Sequence, residues 1–212
     1  MTSVSRLACV DRLKNQMVLV TGASSGIGRV IALAMADEGS KVVVDYISDR
    51  PAAEEVAREI QTKVTDALVL EAMREFRRRG LIPERSIAAG KIIFISSVHQ
   101  IIPRPGHCNY STSKGGLMQF MKSLAQEAAW DRIRINGIAP WAVRTDINRE
   151  SWEDPAALES LLKLIPLNRI GEPRDIGSTA VWLASDESDY VHGATIFVDG
   201  GMALYPGFAS GG

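Results

Sequence analysis

One stretch limits the possible folds of this chain more than any other. Met17 to Val20 is a short, branched, apolar run, followed at once by Thr21-Gly22-Ala23-Ser24-Ser25-Gly26-Ile27-Gly28. A helical pattern from about Ser25 to Glu38 comes next, with Val30, Ile31, Leu33, Ala34 and Met35 as its buried stripe and Gly39 as its stop. A second apolar run, Lys41 to Tyr46, follows directly. Strand, glycine turn, helix and strand make a βαβ unit, the context in which such a turn cradles a dinucleotide. Glycine turns also occur where a strand merely meets a helix, so the surrounding unit carries the inference. Gly22 allows the turn, Gly26 lets the backbone approach a diphosphate, and Gly28 permits close helix packing. The amides of the first turn, around Ile27, and the hydroxyls of Ser24 and Ser25 are the expected donors to phosphate. Asp45, near the end of the second strand, is placed to bond an adenosine ribose and to repel a 2'-phosphate, which favours NAD over NADP. A solvated strand-end carboxylate is the equal alternative, and Arg50 would rescue NADP.

The remainder continues the alternation. Helical patterns begin at Pro51 and run from Thr65 to Arg79, the second ending in Arg77-Arg78-Arg79-Gly80, ordinary helix-end chemistry rather than a binding patch. Lys91 to Ile95 reads as a buried strand that delivers Ser96 and Ser97 at its carboxyl end. A proline-rich loop, 101–109, leads to a long helix from Tyr110 to Trp130. Ile133 to Asn136 and Thr195 to Val198 read as strands, and Arg174 to Ala184 as a helix. Segment 141–170 is expected to be irregular apart from a short helix near Ala156 to Leu164. Near-continuous apolar strands alternating with helices imply one α/β domain over 1–212, Rossmann-like, with a doubly wound parallel sheet in three layers.

Composition removes several other classes. The 212 residues carry 24 Lys+Arg against 25 Asp+Glu, so no basic excess exists to neutralise nucleic acid. The longest apolar stretches fall far short of the roughly 20 residues needed to cross a bilayer. No signal-peptide core is found near Met1, and two cysteines, Cys9 and Cys108, make no disulfide framework, so a reducing cytoplasm is the expected setting. His99, His107 and His192 lack metal-ligand spacing with cysteine or carboxylate partners.

Tyr110 and Lys114 lie four apart at a helix start and project from one face. A free phenol is a poor base near neutrality, and a neighbouring ammonium favours its anion. Ser97, at a strand end thirteen residues earlier, is placed to bond the reacting oxygen. His99, two residues beyond Ser97, either touches a substrate hydroxyl or is a solvated loop histidine.

With these residues together the chain resembles the short-chain dehydrogenase/reductase family. The likeness rests on Thr21 to Gly28, Ser96-Ser97, Tyr110-x-x-x-Lys114, Arg134-Ile135-Asn136 with Pro140, and Asp199-Gly200-Gly201. The resemblance implies an NAD(P) oxidoreductase in which Ser97 binds the substrate oxygen, Tyr110 transfers its proton, and Lys114 promotes the ionised phenol and holds the nicotinamide ribose. It further implies that Pro140, Val143 and Thr145 line the nicotinamide site, and that the protein is a homo-tetramer or homo-dimer. Ser96 to His99, Ile165 to Pro173 and Gly201 to Pro206 resemble bacterial glucose 1-dehydrogenases, implying a sugar or other small-alcohol substrate oxidised at C1 to a lactone. Reduction of 3-oxoacyl thioesters, and a truncated nucleotide-binding protein without turnover, are the alternatives.

Three features depart from the family. Between the helix ending near Gln61 and the helix containing Ala72, two strands, a helix and an Asn-Asn-Ala-Gly turn are missing. The family's catalytic asparagine goes with them, and Gln61 or Lys63 near its place matches neither context. One lost strand belongs beside Met17 to Val20. Its slot must close by direct pairing of that strand with Lys91 to Ile95, be filled by another segment or chain, or belong to residues that this sequence omits. Trp141 replaces a usual glycine, and Ile47 stands where many NADP-using relatives carry arginine.

Overall fold

The computed structural model describes residues 11–44, 49–60 and 69–204. Strand β1 (Met17–Val20) pairs in parallel with β2 (Lys41–Val44). Strand β3 (Gly90–Ile95) pairs with β4 (Ile133–Pro140), and β4 with β5 (Thr195–Val198), also in parallel. The helices are α1 (Gly26–Asp37), α2 (Arg50–Glu59), α3 (Val69–Arg79), α4 (Cys108–Ala128), α5 (Glu150–Glu153), α6 (Pro155–Leu162) and α7 (Pro173–Ala184).

Local chemistry sets the helix ends. Asp49 accepts from the Ala52 amide at 3.0 Å and starts α2 one residue before the expected Pro51. Asp154 caps α6 in the same way, through the Ala157 amide at 2.9 Å. Gly39 and Gly80 stop α1 and α3 with φ of +84° and +67°, where a side chain would be strained. Beside Gly80, Arg77 pairs with Asp131 and Arg78 with Glu75, so part of the basic run is spent on local partners. Helix α4 starts at Cys108 instead of Tyr110, which puts Tyr110 inside the first turn. The extra helix α5 interrupts the segment expected to be irregular.

Strand β4 runs four residues beyond the expected Asn136 and is buried throughout. Gly137 and Pro140 hide it from a periodicity reading. A Cβ at Gly137 would come within 3.0 Å of Met121 Sδ, so glycine there is a packing requirement of α4. Pro140 pairs only with β5, because β3 ends opposite Ile138, so its missing N–H costs no ladder bond to β3. Along β4, Ile133 and Ile135 join a core with α3 and α4, while Ile138 joins the core formed with α1, α2 and α7. The intervening polar residues are structural. Arg134 donates to the carbonyls of Leu183, Ser185 and Ser188, and Asn136 bonds Val191 O and the Ala194 amide.

The doubly wound parallel class stands, but the sheet is divided. Among the described residues Met17–Val20 does not pair with β3, which removes direct pairing from the three ways of closing the slot. An apolar cavity of about 480 Å³ lies between the facing edges of β1 and β3. Contacts at its floor and at one end bridge it among the described residues. Helix α1 packs on α7, which in turn packs on β3 and β4. At the end, Lys91 Nζ donates to Gln16 Oε1 at 3.1 Å and to Asp186 Oδ1 at 2.6 Å.

Burial lowers the pKa of Lys91, and its bond to Asp186 works against that shift. Burial also works to raise Asp186, but the bonds from Lys91 and Ser86 prevail and hold its carboxyl below the ordinary value. Asp186→Asn weakens three bonds around a half-exposed carboxylate and is expected to cost about 1–3 kcal/mol at neutral pH. The depressed carboxyl stabilises the fold above its ordinary range and loses that effect as pH falls through its folded-state value. Urea unfolding of both proteins should therefore show the gap at pH ~7 and its closure in acid, below the ordinary carboxylate pKa of about 4.

Candidate active site

The glycine elbow is built as its sequence requires. Gly22 and Gly26 adopt φ of +62° and +54° with open space where a Cβ would lie. A Cβ on Gly28 would sit 2.2 Å from Gly22 O, so the helix meets the turn only because that atom is missing. Ser25 stands at the N-cap of α1 with extended backbone and makes no side-chain cap bond. The first helix-closing bond runs from Arg29 N to Ser25 O, leaving the amides of Gly26, Ile27 and Gly28 ahead of it. Three amides, two open glycine positions and the Ser24 and Ser25 hydroxyls fit a dinucleotide diphosphate. Asp45 and Ile47 lie outside the described residues, as do Gln61 and Lys63. Arg50, the residue that would rescue NADP, bonds Glu54 within α2 at 2.8 Å.

The second cluster gathers at the carboxyl ends of β3 and β4. Ser96 is tied to β4 through Ile138 O at 2.7 Å. Ser97 caps a one-turn 3-10 helix at Val98–Gln100, its Oγ accepting from the His99 amide at 3.2 Å. That hydroxyl is left able to donate. In α4, Lys114 Nζ donates to Ile95 O at 3.1 Å and lies 5.6 Å from the centre of the Tyr110 ring. Burial lowers the Lys114 pKa. Tyr110 is 40% exposed, whereas Lys114 is partly buried and anchored to β3.

His99 is buried, which removes the solvated-loop reading. Its Nδ1 contacts Ile102 O at 3.0 Å, and its ring meets Trp141 edge-on at 4.9 Å and Tyr110 at 6.1 Å. His99 Nε2 and Trp141 Nε1 are both buried without hydrogen-bond partners among the described residues. Trp141 thus joins the wall beside Tyr110 instead of pointing to solvent.

The third element is the loop after Pro140. Ala142 takes φ +45°, a left-handed conformation costing an alanine about 1–2 kcal/mol. Val143 bridges Gly171, and Gly171 N and O bond Ala142 O and Arg144 N, so the loop is pinned on both sides. Thr145 bonds Asn148 Oδ1 through both N and Oγ1, and Trp152 Nε1 reaches Thr145 O at 3.3 Å. Asn148 and Trp152, which hold Thr145, are not singled out by the sequence reading. The Thr-x-x-Asn spacing was the available signal. His192 is structural, accepting from Ile135 N and contacting Ala125 O, and among the described residues no cluster suits a metal ion.

The sequence profile for short chain dehydrogenases matches residues 16–75, and that for enoyl-(acyl carrier protein) reductases matches residues 67–203. A 3beta-hydroxysteroid dehydrogenase 1 of Eggerthella lenta is 37% identical over 257 positions, spanning 95% of this chain and 98% of that protein. This chain belongs to the short-chain dehydrogenase/reductase family. Members are NAD(P)-dependent oxidoreductases acting on CH–OH groups. A second member, glucose 1-dehydrogenase 2 of Bacillus subtilis, is 32% identical, covering 92% of this chain and 97% of its own. The structure of a gluconate 5-dehydrogenase from Burkholderia cenocepacia, in complex with NADP and tartrate, superposes with TM-score 0.76 at 27% identity, over 92% and 98% of the two chains. With 257 aligned positions against 212 residues here, at least 45 positions of the first relative have no counterpart in this short-chain dehydrogenase.

Gly28→Ala forces its methyl into Gly22 O. It is expected to cost about 1–3 kcal/mol and to weaken dinucleotide binding, whereas Ser24→Ala changes stability by less than about 0.5 kcal/mol. Thermal unfolding and quenching of NADH fluorescence check both.

Proposed function

We propose that this protein oxidises a cyclic alcohol, with Ser97, Tyr110 and Lys114 carrying the proton chemistry and the glycine elbow holding NAD(P). The observation that carries this reading is the anchoring of Lys114 to Ile95 O, one helical turn from Tyr110 and at the strand end that leads to Ser97. A bound nicotinamide supplies the hydride acceptor. Ser97 Oγ, its lone pair engaged by the His99 amide, donates its proton toward the substrate oxygen. Tyr110 Oη takes the hydroxyl proton, and the Lys114 ammonium favours the phenolate and bonds the nicotinamide ribose. Pro140, Val143 and the clamped Thr145 line the carboxamide side, and the pinning of this loop to Gly171 holds them in place.

Glucose, oxidised at C1 to the lactone, is the first substrate. The stretch from Ser96 to His99 and the 32% relative support it, and a hydroxyl-rich ligand would satisfy the unpartnered His99 Nε2 and Trp141 Nε1. A hydroxysteroid is the second reading, favoured by the aromatic wall of His99, Trp141 and Tyr110 and by the 37% relative. NAD is the preferred cofactor, because Asp45 would repel a 2'-phosphate and Arg50 is held by Glu54. The setting is cytoplasmic, and among the described residues no helix is long and apolar enough to cross a membrane. Assembly is as a homo-tetramer or homo-dimer, supported by the exposed Phe120 on α4 and Trp130 just after it.

Growth of the NADH absorbance band with glucose, a 3β-hydroxysteroid and a panel of small alcohols tests the reading. Nucleotide binding without turnover on any of them assigns the chain to the inactive alternative. Tyr110→Phe should lower kcat by about 10²–10⁴-fold with nucleotide affinity retained. Lys114→Met separates chemistry from stability. A lysine whose folded-state pKa is depressed destabilises the fold below that pKa, and the penalty fades as pH rises toward the unfolded value. Lys114→Met should therefore match or exceed the parent in Tm at neutral pH, with the gap shrinking in alkali, while kcat falls by about 10²-fold or more.

A further inference from the structure

The edges of β1 and β3 face each other across the cavity, and among the described residues no strand lies between them. Its floor is Ile31 and Met35 of α1 with Ala180 and Ala184 of α7, and α3 contributes Phe76 and Arg79. We propose that this slot is a docking site for an extended apolar peptide strand of another polypeptide, lying parallel to β1 and β3 with an acidic residue at its amino end.

Two rows of backbone N–H and C=O groups, from a four-residue and a six-residue strand, line the slot at strand repeat. An apolar small molecule fills the volume but leaves those rows unpaired, whereas a single strand satisfies both. Both faces of that strand would meet apolar side chains, so its sequence is a continuous apolar run instead of an alternating one. The charge preference comes from the end of the slot nearest the start of β3. There Phe76 packs over Gly90, where an added Cβ would lie 2.3 Å from the ring. Arg79, 5.7 Å over that ring, has a buried Nε without a hydrogen-bond partner among the described residues, and Arg85 lines the same cavity. A strand entering parallel to its neighbours presents its amino end to these arginines.

The test titrates the full chain into a fluorescein-labelled peptide, acetyl-Asp-Val-Ile-Val-Thr-Val-Lys-amide, with anisotropy and amide hydrogen exchange as readouts. The expected result is saturable binding with new protection at Met17–Val20 and at Gly90–Ile95. Methylation of alternate peptide amides, which removes the donors of one edge, should weaken binding by about a hundredfold. Exchanging the terminal Asp and Lys should weaken it about threefold, in a salt-sensitive way. Absence of binding, equal binding of the methylated peptide, or binding without protection of both strands overturns the proposal, the second result marking a lipophilic cavity. Loss of peptide binding at protein concentrations where sedimentation shows self-association assigns the slot to a second copy and also overturns it. None of these readouts depends on turnover, so failure of the dehydrogenase reading is a separate result.

Discussion

Helix α1 crosses α7 at Gly177, where an added Cβ would approach Ala34 Cβ to 3.3 Å and Val30 to 3.6 Å. Close approach of the two helix axes is possible there because one side chain is missing. Everything on the nucleotide side of the molecule hangs from this crossing. Among the described residues the pair β1 and β2 shares no ladder with β3, β4 and β5, so its place relative to Ser97 and Tyr110 is set by α1 lying on α7 and by α7 lying on β3 and β4. Ile31, Ala32 and Met35 from one helix and Ile176, Ala180 and Ala184 from the other are buried in the same core. Burial of this kind contributes about 25 cal/mol per Å² of apolar surface and is not directional. It holds the half-sheets together without specifying a hydrogen-bond register between them. The Lys91 to Gln16 bond adds one directional contact at the far end of the slot.

The same division explains how the active-site cleft retains its parts. The glycine elbow sits at the end of β1, and Ser97 follows the end of β3. In a continuous sheet a strand between them would fix their separation. Here the separation is fixed from beneath, by helix packing, while the chemical side is built independently on β4. That strand is buried along its whole length, and its neighbours, α4 and the pinned loop at 142–145, carry Tyr110, Lys114 and Thr145. Lys114 bonding Ile95 O couples α4 to the strand that leads to Ser97.

Much of this was legible in the letters. The glycine elbow, Tyr110 with Lys114, and Ser97 at a strand end depend on local spacing, which a single sequence displays fully. Strands β1, β2, β3 and β5 were visible as branched apolar runs. What stayed hidden depended on distant partners. The length of β4 was masked by Gly137, whose reason is Met121 on another element. The burial of His99 follows from Trp141, some forty residues later, and the clamp on Thr145 follows from Asn148 and Trp152, which no apolar periodicity marks. The absence of a central strand was readable, but the way the chain accommodates it was not. The answer lay in whether α1 and α7 pack strongly enough to tolerate an open slot.

The α1 and α7 crossing also bears on how the chain is made. Residues 26–37 leave the ribosome well before residues 173–184. In a continuous doubly wound sheet the first half can begin to condense on its own central strands. Here, among the described residues, the β1–α1–β2 unit has no further sheet neighbour, and its apolar helix face waits for a partner encoded well over a hundred residues later. The interval between the two is the period of greatest exposure to misassembly.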